Sequence, residues 1–490
     1  MNIKSINTIG ELKKAGYQSK TVKEEMRDNL ENKLKAGKPI FENIIGYEQS
    51  VVPQLERAIL SGHNINFLGL RGQAKTRMAR QMVQLLDEYM PIVMGSEIND
   101  DPLNPLSFIS KEAIRLDGDK TPIEWVHRSE RYAEKLATPD VNIADLIGDI
   151  DPIKAANLRL SYSDEGVIHF GIIPRSNRGI FVINELPDLQ PRIQVALFNI
   201  LQEGDIQIRG FKFRFPLDVQ FVFTANPEDY TNRGSIITPL KDRIQSQIFT
   251  HYPATIEIGR KITQQEVNLS AFQLQAITVP DLVARLIEQI AVEARSNEFI
   301  DEKSGVSARL PISAYETVVS AVERRMLING EKKGTARMGD LQAAIPAIVG
   351  KIEMVYEGEL EGAVNVAHRL ISSAVRTLAS EYFPDFKQAP DKQQPEIRNK
   401  YLSIMSWFEK GNELDLMNDA TAKDYVNGLN SIKGLDKVIK ANDLGKNEND
   451  KLLMMEYLLH VLAEYSLLDK KQLETSFKFQ DFFSSIMPQQ

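Results

Sequence analysis

Apolar residues follow two patterns along the chain. In the first half they form short apolar runs (Ile65 with Phe67-Leu68, the unbroken Ile180-Phe181-Val182-Ile183, and Val219 to Thr224), each ending at a polar or glycine-bearing turn. Such runs predict strands buried on both faces of a parallel sheet. Stretches at helical spacing lie between them: Gln49–Leu60, then Met78, Met82, Val83 and Leu86 closed by Pro91, then Gln190–Gln202 with Val195, Leu197, Phe198, Ile200 and Leu201. From about Thr263 the pattern turns helical. Helices are predicted over Asp281–Arg295, from Ser307 and from Met338, and again through 396–490 beyond a polar linker at Pro384–Pro395.

Strict alternation predicts two hairpins. In the first, Leu158–Tyr162 and Val167–Phe170 flank Ser163–Gly166. In the second, Ile206–Arg209 and Phe211–Phe215 meet at Arg209-Gly210. That puts Phe211, Phe213 and Phe215 on one face and Lys212 and Arg214 on the other, as pore lining or as a solvated face. Thr21–Leu34 is rich in charge and helix formers and predicts a solvated or partly frayed helix. Trp125–Leu136 predicts another helix, with Trp125 in the core. His127, with no His or Cys beside it in sequence, reads as structural.

Composition narrows the class. The chain has 490 residues, 42% hydrophobic and 26% charged, which fits a globular protein of several domains. There are no cysteines, so disulfides, thiolate metal sites and thiol nucleophiles are excluded. Lys plus Arg total 59 against 67 Asp plus Glu, a net charge of -8 that disfavours a nucleic-acid-coating protein. No apolar run reaches the ~18 residues of a membrane span. The N-terminus lacks a signal-peptide core, so a cytoplasmic location is expected.

The first candidate chemistry follows the first apolar run: Gly69-Leu70-Arg71-Gly72-Gln73-Ala74-Lys75-Thr76, leading into a helix. Strand, glycine-bearing turn, Lys-Thr and helix is the context of a phosphate-binding loop. Small residues let backbone N–H groups surround a phosphate at the positive end of a helix. Lys75 would reach the β- and γ-phosphates, and the Thr76 hydroxyl would hold Mg²⁺. Ala74 stands where a glycine is usual, which a negative φ would accommodate. The second candidate is Asn184-Glu185 at the end of the run Ile180–Ile183, where open α/β sheets place their ligands. Asn184 offers a metal-bound water one acceptor oxygen without a formal charge.

These motifs, in this order, resemble the AAA+ ATPases, particularly the clade of magnesium-chelatase I subunits and MoxR proteins. Phe41, Ile44, Ile45 and Gly46 match the clade's opening motif, and the resemblance places Ile45 and Gly46 beside adenine. It also marks Gly69, Gly72, Gln73, Ala74, Lys75 and Thr76 as nucleotide-binding, and Thr76 with Asn184 as the metal side. It implies that Glu185 polarises the attacking water, Asn226 is sensor 1, Arg243 is the arginine finger with Arg233 as runner-up, and Arg309 is sensor 2. A local salt bridge is the alternative for either finger arginine.

The resemblance covers about residues 41–375 and implies an α/β P-loop core with a parallel sheet and β-hairpin inserts. The expected division is an N-terminal extension (1–40), the core (41–260), a helical lid (261–380) and a C-terminal helical region (381–490). Implied cofactors are ATP and Mg²⁺. The resemblance implies a homo-oligomeric ring, a hexamer, acting on a protein client such as a von Willebrand A-domain protein. A magnesium-chelatase motor subunit is the alternative, and a DNA-acting AAA+ protein ranks below both.

Overall fold

Five strands form one parallel sheet, labelled here β1 (Ile65–Leu68), β2 (Tyr132–Leu136), β3 (Gly179–Asn184), β4 (Val219–Ala225) and β5 (Ser246–Phe249). Their spatial order is β5-β1-β4-β3-β2. The computed structural model describes residues 5–161, 164–208, 214–227, 235–388, 399–472 and 476–481. The chain divides into two compact units, 1–251 and 252–490.

In the first unit the three apolar runs become β1, β3 and β4, buried from both sides. On one face Ile65, Phe67, Ile180, Val182 and Val222 pack with Met78, Ala79, Met82 and Leu85. On the other, Phe181, Ile183, Phe221 and Phe223 pack with Ile193, Leu197 and Ile200 from the helix Pro191–Glu203. The Phe181 and Phe221 rings meet edge to face at 6.1 Å.

Several local expectations are corrected. The segment Trp125–Leu136 is not helical. Ile123–His127 pairs antiparallel with Tyr89–Val93, a 3₁₀ turn covers Arg128–Arg131, and Tyr132–Leu136 is β2 at the sheet edge. Pairing with β3 overrides the helix formers in that stretch. The helix after the loop runs only from Lys75 to Gln81, with a 3₁₀ turn over Met82–Leu85, and Pro91 lies in a strand.

The first insert is also built differently. Gly148–Ile150 pairs antiparallel with Ile168–Phe170, and the helix Pro152–Leu158 lies between them. Asp151 caps that helix by accepting the Ile153 and Lys154 N–H groups at 2.9 and 3.0 Å, with Pro152 at its first position. Gly148, at φ 122°, is needed because a Cβ there would lie 2.3 Å from the His169 carbonyl oxygen. Tyr162 and Ser163, part of the expected hairpin, fall outside the described residues. In the second insert Asp205–Gln207 pairs antiparallel with Arg214–Pro216. The expected turn at Arg209-Gly210 and the residues 211–213 lie outside the described residues.

The N-terminal helix is part of the core and not a solvated preface. Val22–Lys35 starts at a capping box between Thr21 and Glu24 and buries Val22, Met26 and Leu30 against the β1 side of the sheet. Its Glu25 carboxylate takes both ends of the Arg131 guanidinium at 2.7 and 2.6 Å, with the two side chains 8% and 1% exposed. Arg131 also donates to the Arg178 carbonyl, and Glu25 accepts the Asp87 N–H.

The second unit is mainly helical, including Ile256–Glu266, Asp281–Arg295, Arg309–Asn329, Ala363–Tyr382 and Glu448–Glu464. One apolar core runs from Ala276 to Phe479, so the residues after 381 share it with the helices before them. The C-terminal part is not wholly helical. Leu414–Met417, Ser476–Gln480 and Asp469–Gln472 form a small antiparallel sheet. Among the described residues no helix is long and apolar enough to cross a membrane.

Removing one partner of a buried, hydrogen-bonded ion pair leaves an uncompensated charge and costs about 3–5 kcal/mol. Glu25→Ala is therefore expected to destabilise the first unit by that amount in chemical denaturation. Glu31→Ala breaks an exposed pair with Arg27 in the same helix and should cost no more than about 1 kcal/mol. Equal effects of the two substitutions would show that the Glu25 pair does not hold the N-terminal helix.

Candidate functional site

The parallel sheet brings three chain segments together at its carboxyl edge. Leu68 of β1 is in register with Ala225 of β4, and Phe223 of β4 with Ile183 of β3. The residues that follow are therefore neighbours: the loop from Gly69, the Asn184-Glu185 pair, and Asn226. This carboxyl edge is the crevice position of an open α/β sheet.

Packing explains the loop's small residues. A Cβ on Gly69 would fall 2.0 Å from the Thr250 hydroxyl and 2.3 Å from Gln73 Oε1, so only glycine fits. Gly72 has φ 72°. Ala74 also adopts the left-handed conformation, at φ 56° and ψ 17°, which overturns the expectation of a negative φ. An L-residue there is strained by roughly 1–2 kcal/mol relative to the right-handed region. The loop keeps the glycine-like backbone and carries the strain of a Cβ.

Second-line contacts hold the loop down. The Thr250 hydroxyl donates to Gln73 Oε1 at 2.6 Å. The Tyr47 hydroxyl lies 3.0 Å from the Gln73 carbonyl oxygen and 2.8 Å from that of His251, and its ring meets the His251 ring edge on. Tyr47 follows Ile45 and Gly46, and Gly46 turns at φ 87°. The opening motif is thus tied to the loop through its next residue. Sequence reasoning missed Tyr47, although an aromatic residue directly after that glycine was the available signal.

The polar side chains form a short network. Lys75 Nζ donates to the carbonyls of Gly69 and Leu70 and, at 3.1 Å, to Asn226 Oδ1. The Thr76 hydroxyl donates to Asn184 Oδ1 at 3.1 Å, and the Thr224 hydroxyl reaches the same oxygen at 3.2 Å. Glu185 is left-handed at φ 57° and donates its backbone N–H to Thr224 Oγ1 at 3.1 Å. Lys75, Thr76, Asn184, Glu185 and Asn226 are thereby assembled. Thr224 joins them and was not singled out from the sequence.

The remaining candidates have other surroundings. Arg243 ends the helix Thr238–Arg243, pairs with Asp242 at 2.8 Å and lies over the Phe198 ring at 5.9 Å. Arg309 is exposed at the start of its helix in the second unit, where its backbone N–H donates to Ser307 Oγ. Arg233 lies outside the described residues.

The residues present fit a nucleotide and a divalent cation. Among its contacts Lys75 donates to two carbonyls and to the Asn226 amide oxygen, and an anionic phosphate forms stronger, charge-assisted hydrogen bonds than these neutral oxygens. The Thr76 hydroxyl directs its proton to Asn184, leaving its lone pairs for a cation. Asn184 Oδ1 is engaged by two hydroxyls, which suits a residue standing behind the metal ligands. Among the described residues no group of three or more His, Cys, Asp or Glu side chains could hold a metal ion. A cation here would rely on Thr76, on water and on phosphate oxygens.

No protein-family model matches the chain. The chain is 24% identical over 221 residues to the magnesium-chelatase 38 kDa subunit of Cereibacter sphaeroides, covering 44% of this chain and 60% of that subunit. It is 28% identical over 127 residues to the hydrogenase transcriptional regulatory protein HoxA of Cupriavidus necator, covering 26% of this chain and 23% of that protein. The matched region thus spans less than two thirds of either relative. Two distant solved structures also match part of the chain. They are the BchI–BchD complex of magnesium chelatase (TM-score 0.33, 18% identity, 66% of this chain and 98% of that one) and Hsp104 (TM-score 0.36, 13% identity, 67% and 53%). The parallel sheet, the loop at its carboxyl edge and the similarity to the chelatase subunit together support an AAA+ ATPase of the magnesium-chelatase clade.

Proposed function

We propose that the chain binds ATP with Mg²⁺ at the carboxyl edge of the sheet, hydrolyses it, and uses the cycle to remodel a protein partner. The observation that carries this reading is the convergence of Lys75 with Asn226, and of Thr76 with Asn184, at the ends of three adjacent strands. Bound ATP supplies the phosphoanhydride that is broken. Lys75 and the loop N–H groups bind its phosphate oxygens, and Ile45 and Gly46 border the base. Thr76 holds the cation, with Asn184 behind it. Glu185 orients the attacking water and draws off its proton, while Asn226 fixes the water's direction. Arg243 of a neighbouring copy in a ring stabilises the charge that develops on the transferred phosphoryl group, and Arg309 reads the nucleotide state.

The partner is proposed to be a protein, with the von Willebrand A-domain class as the first candidate. The acidic chain is a poor match for a phosphate backbone. The relationship to the chelatase 38 kDa subunit favours a second reading, a motor subunit serving porphyrin metalation through other subunits.

Lys75→Ala is expected to abolish nucleotide binding measured by calorimetry, whereas Glu185→Gln should retain binding and lose turnover. One contacts ground-state phosphate and the other acts on the attacking water, so unchanged steady-state ATPase in Glu185→Gln would remove the role given to it. Asn184→Asp restores a charge beside the cation and should lower the Mg²⁺ concentration for half-maximal ATPase. No shift in a Mg²⁺ titration would place residue 184 away from the metal. The output is tested by adding DNA, protoporphyrin or co-purified proteins separately to the ATPase assay. Stimulation by a protein alone is expected. Stimulation by protoporphyrin would support the chelatase reading, and stimulation by DNA with a steep salt dependence would overturn both.

A further inference from the structure

Thr224 sits at a place where the fold would otherwise supply an apolar side chain. Along β4, Gln220, Val222 and Thr224 share one face by strand alternation, and Val222 packs there against Ile65, Ile180 and Val182. The matching row on β3 is Ile180, Val182 and Asn184. Both rows end in a polar residue beneath the start of the helix Lys75–Gln81, and Thr224 is only 2% exposed. A valine would fill the same volume and suit a strand equally well.

The hydroxyl is fully used. Its oxygen accepts the Glu185 N–H at 3.1 Å, and its proton goes to Asn184 Oδ1 at 3.2 Å. The same Asn184 oxygen accepts the Thr76 hydroxyl at 3.1 Å. A continuous path therefore runs from the Glu185 backbone through Thr224 and Asn184 to Thr76. Glu185 is a non-glycine residue in the left-handed region, at φ 57°, and such a conformation persists only where its surroundings hold it. The bond from its own N–H to Thr224 is a restraint of that kind. It acts on the backbone from which the Glu185 carboxylate projects.

We infer that Thr224 is a positioning residue: its hydroxyl fixes the Glu185 backbone and the Asn184 amide in one relative orientation, so that water activation and cation binding are aligned by a single side chain. This rests on the ATPase reading above. Thr224 touches neither nucleotide nor cation and acts through residues 184 and 185. Without the hydroxyl, Glu185 is free to leave its left-handed turn, while the loop, Lys75 and the sheet are unchanged. Turnover then falls without loss of nucleotide affinity. A shift of about 1 Å in a catalytic group is worth up to roughly 10²-fold in rate.

The test compares Thr224→Val with Thr224→Ser in the full chain. Thr224→Val should lower kcat by about 10- to 100-fold and leave the affinity for a non-hydrolysable ATP analogue within about twofold. Thr224→Ser, which keeps the hydroxyl, should recover most of the rate. Hydrogen exchange of the peptide containing Glu185 gives a readout independent of turnover. Its exchange should quicken by about tenfold in Thr224→Val and stay near wild type in Thr224→Ser. If the valine side chain is not tolerated, Thr224→Ala makes the same comparison. Unchanged exchange at Glu185 overturns the inference, whatever happens to the rate. Quickened exchange with an undiminished kcat overturns it as well. Quickened exchange in a protein whose wild type binds the analogue but does not hydrolyse ATP upholds the positioning of Glu185 and overturns the ATPase reading instead.

Discussion

The first unit depends on a sheet covered on both faces. Strands such as Ile180–Ile183 cannot carry a polar side chain along their length, because helices and inserts exclude water from either side. The polar residues of the candidate site stand at the carboxyl ends of the strands, while Asn66 and Gln220 are buried within β1 and β4. All five strands run the same way, so their carboxyl ends lie along one edge. Asn184, Glu185, Thr224 and Asn226 stand there beside the loop that begins at Gly69. The site is where the burial constraint lapses.

The same constraint sets what was legible in the sequence. Short apolar runs announced β1, β3 and β4, and the polar residues after them marked the site. Edge strands carry weaker signals. Tyr132–Leu136 is only partly buried, and its Ala, Glu and Lys belong equally to a helix. The N-terminal helix looked solvated because its charged residues outnumber its apolar ones. Its role depends on Glu25 meeting Arg131, a contact across 106 residues that no local pattern encodes. In the first insert, Asp151-Pro152 starts a helix that ends where the alternating stretch begins, at a proline that in sequence serves equally as a break. Backbone angle was equally invisible at Ala74, where the residue type argued for a negative φ and the loop imposes a positive one.

The loop and the β3 end depart from the family pattern in complementary ways. Ala74 places strain in the backbone of the loop, and Asn184 carries no charge at the strand end. On the proposed reading both would act on ground-state binding. The Glu185–Thr224 hydrogen bond holds the backbone from which the Glu185 carboxylate projects. The contacts of Tyr47 and Thr250 with Gln73 hold the loop in its turn despite the extra Cβ.

The bond between Lys75 and Asn226 joins residues 151 positions apart, and that between Thr76 and Asn184 spans 108. At roughly 5–20 residues per second, the ribosome needs about 8–30 s to deliver Asn226 after Lys75. A nascent chain therefore exposes its loop long before the other two strand ends exist. A nucleotide bound as proposed, needing all three strand ends, would stabilise the closed sheet over every partly folded form. On that reading the ligand would act late in the folding of the first unit, after its last contributing strand is made.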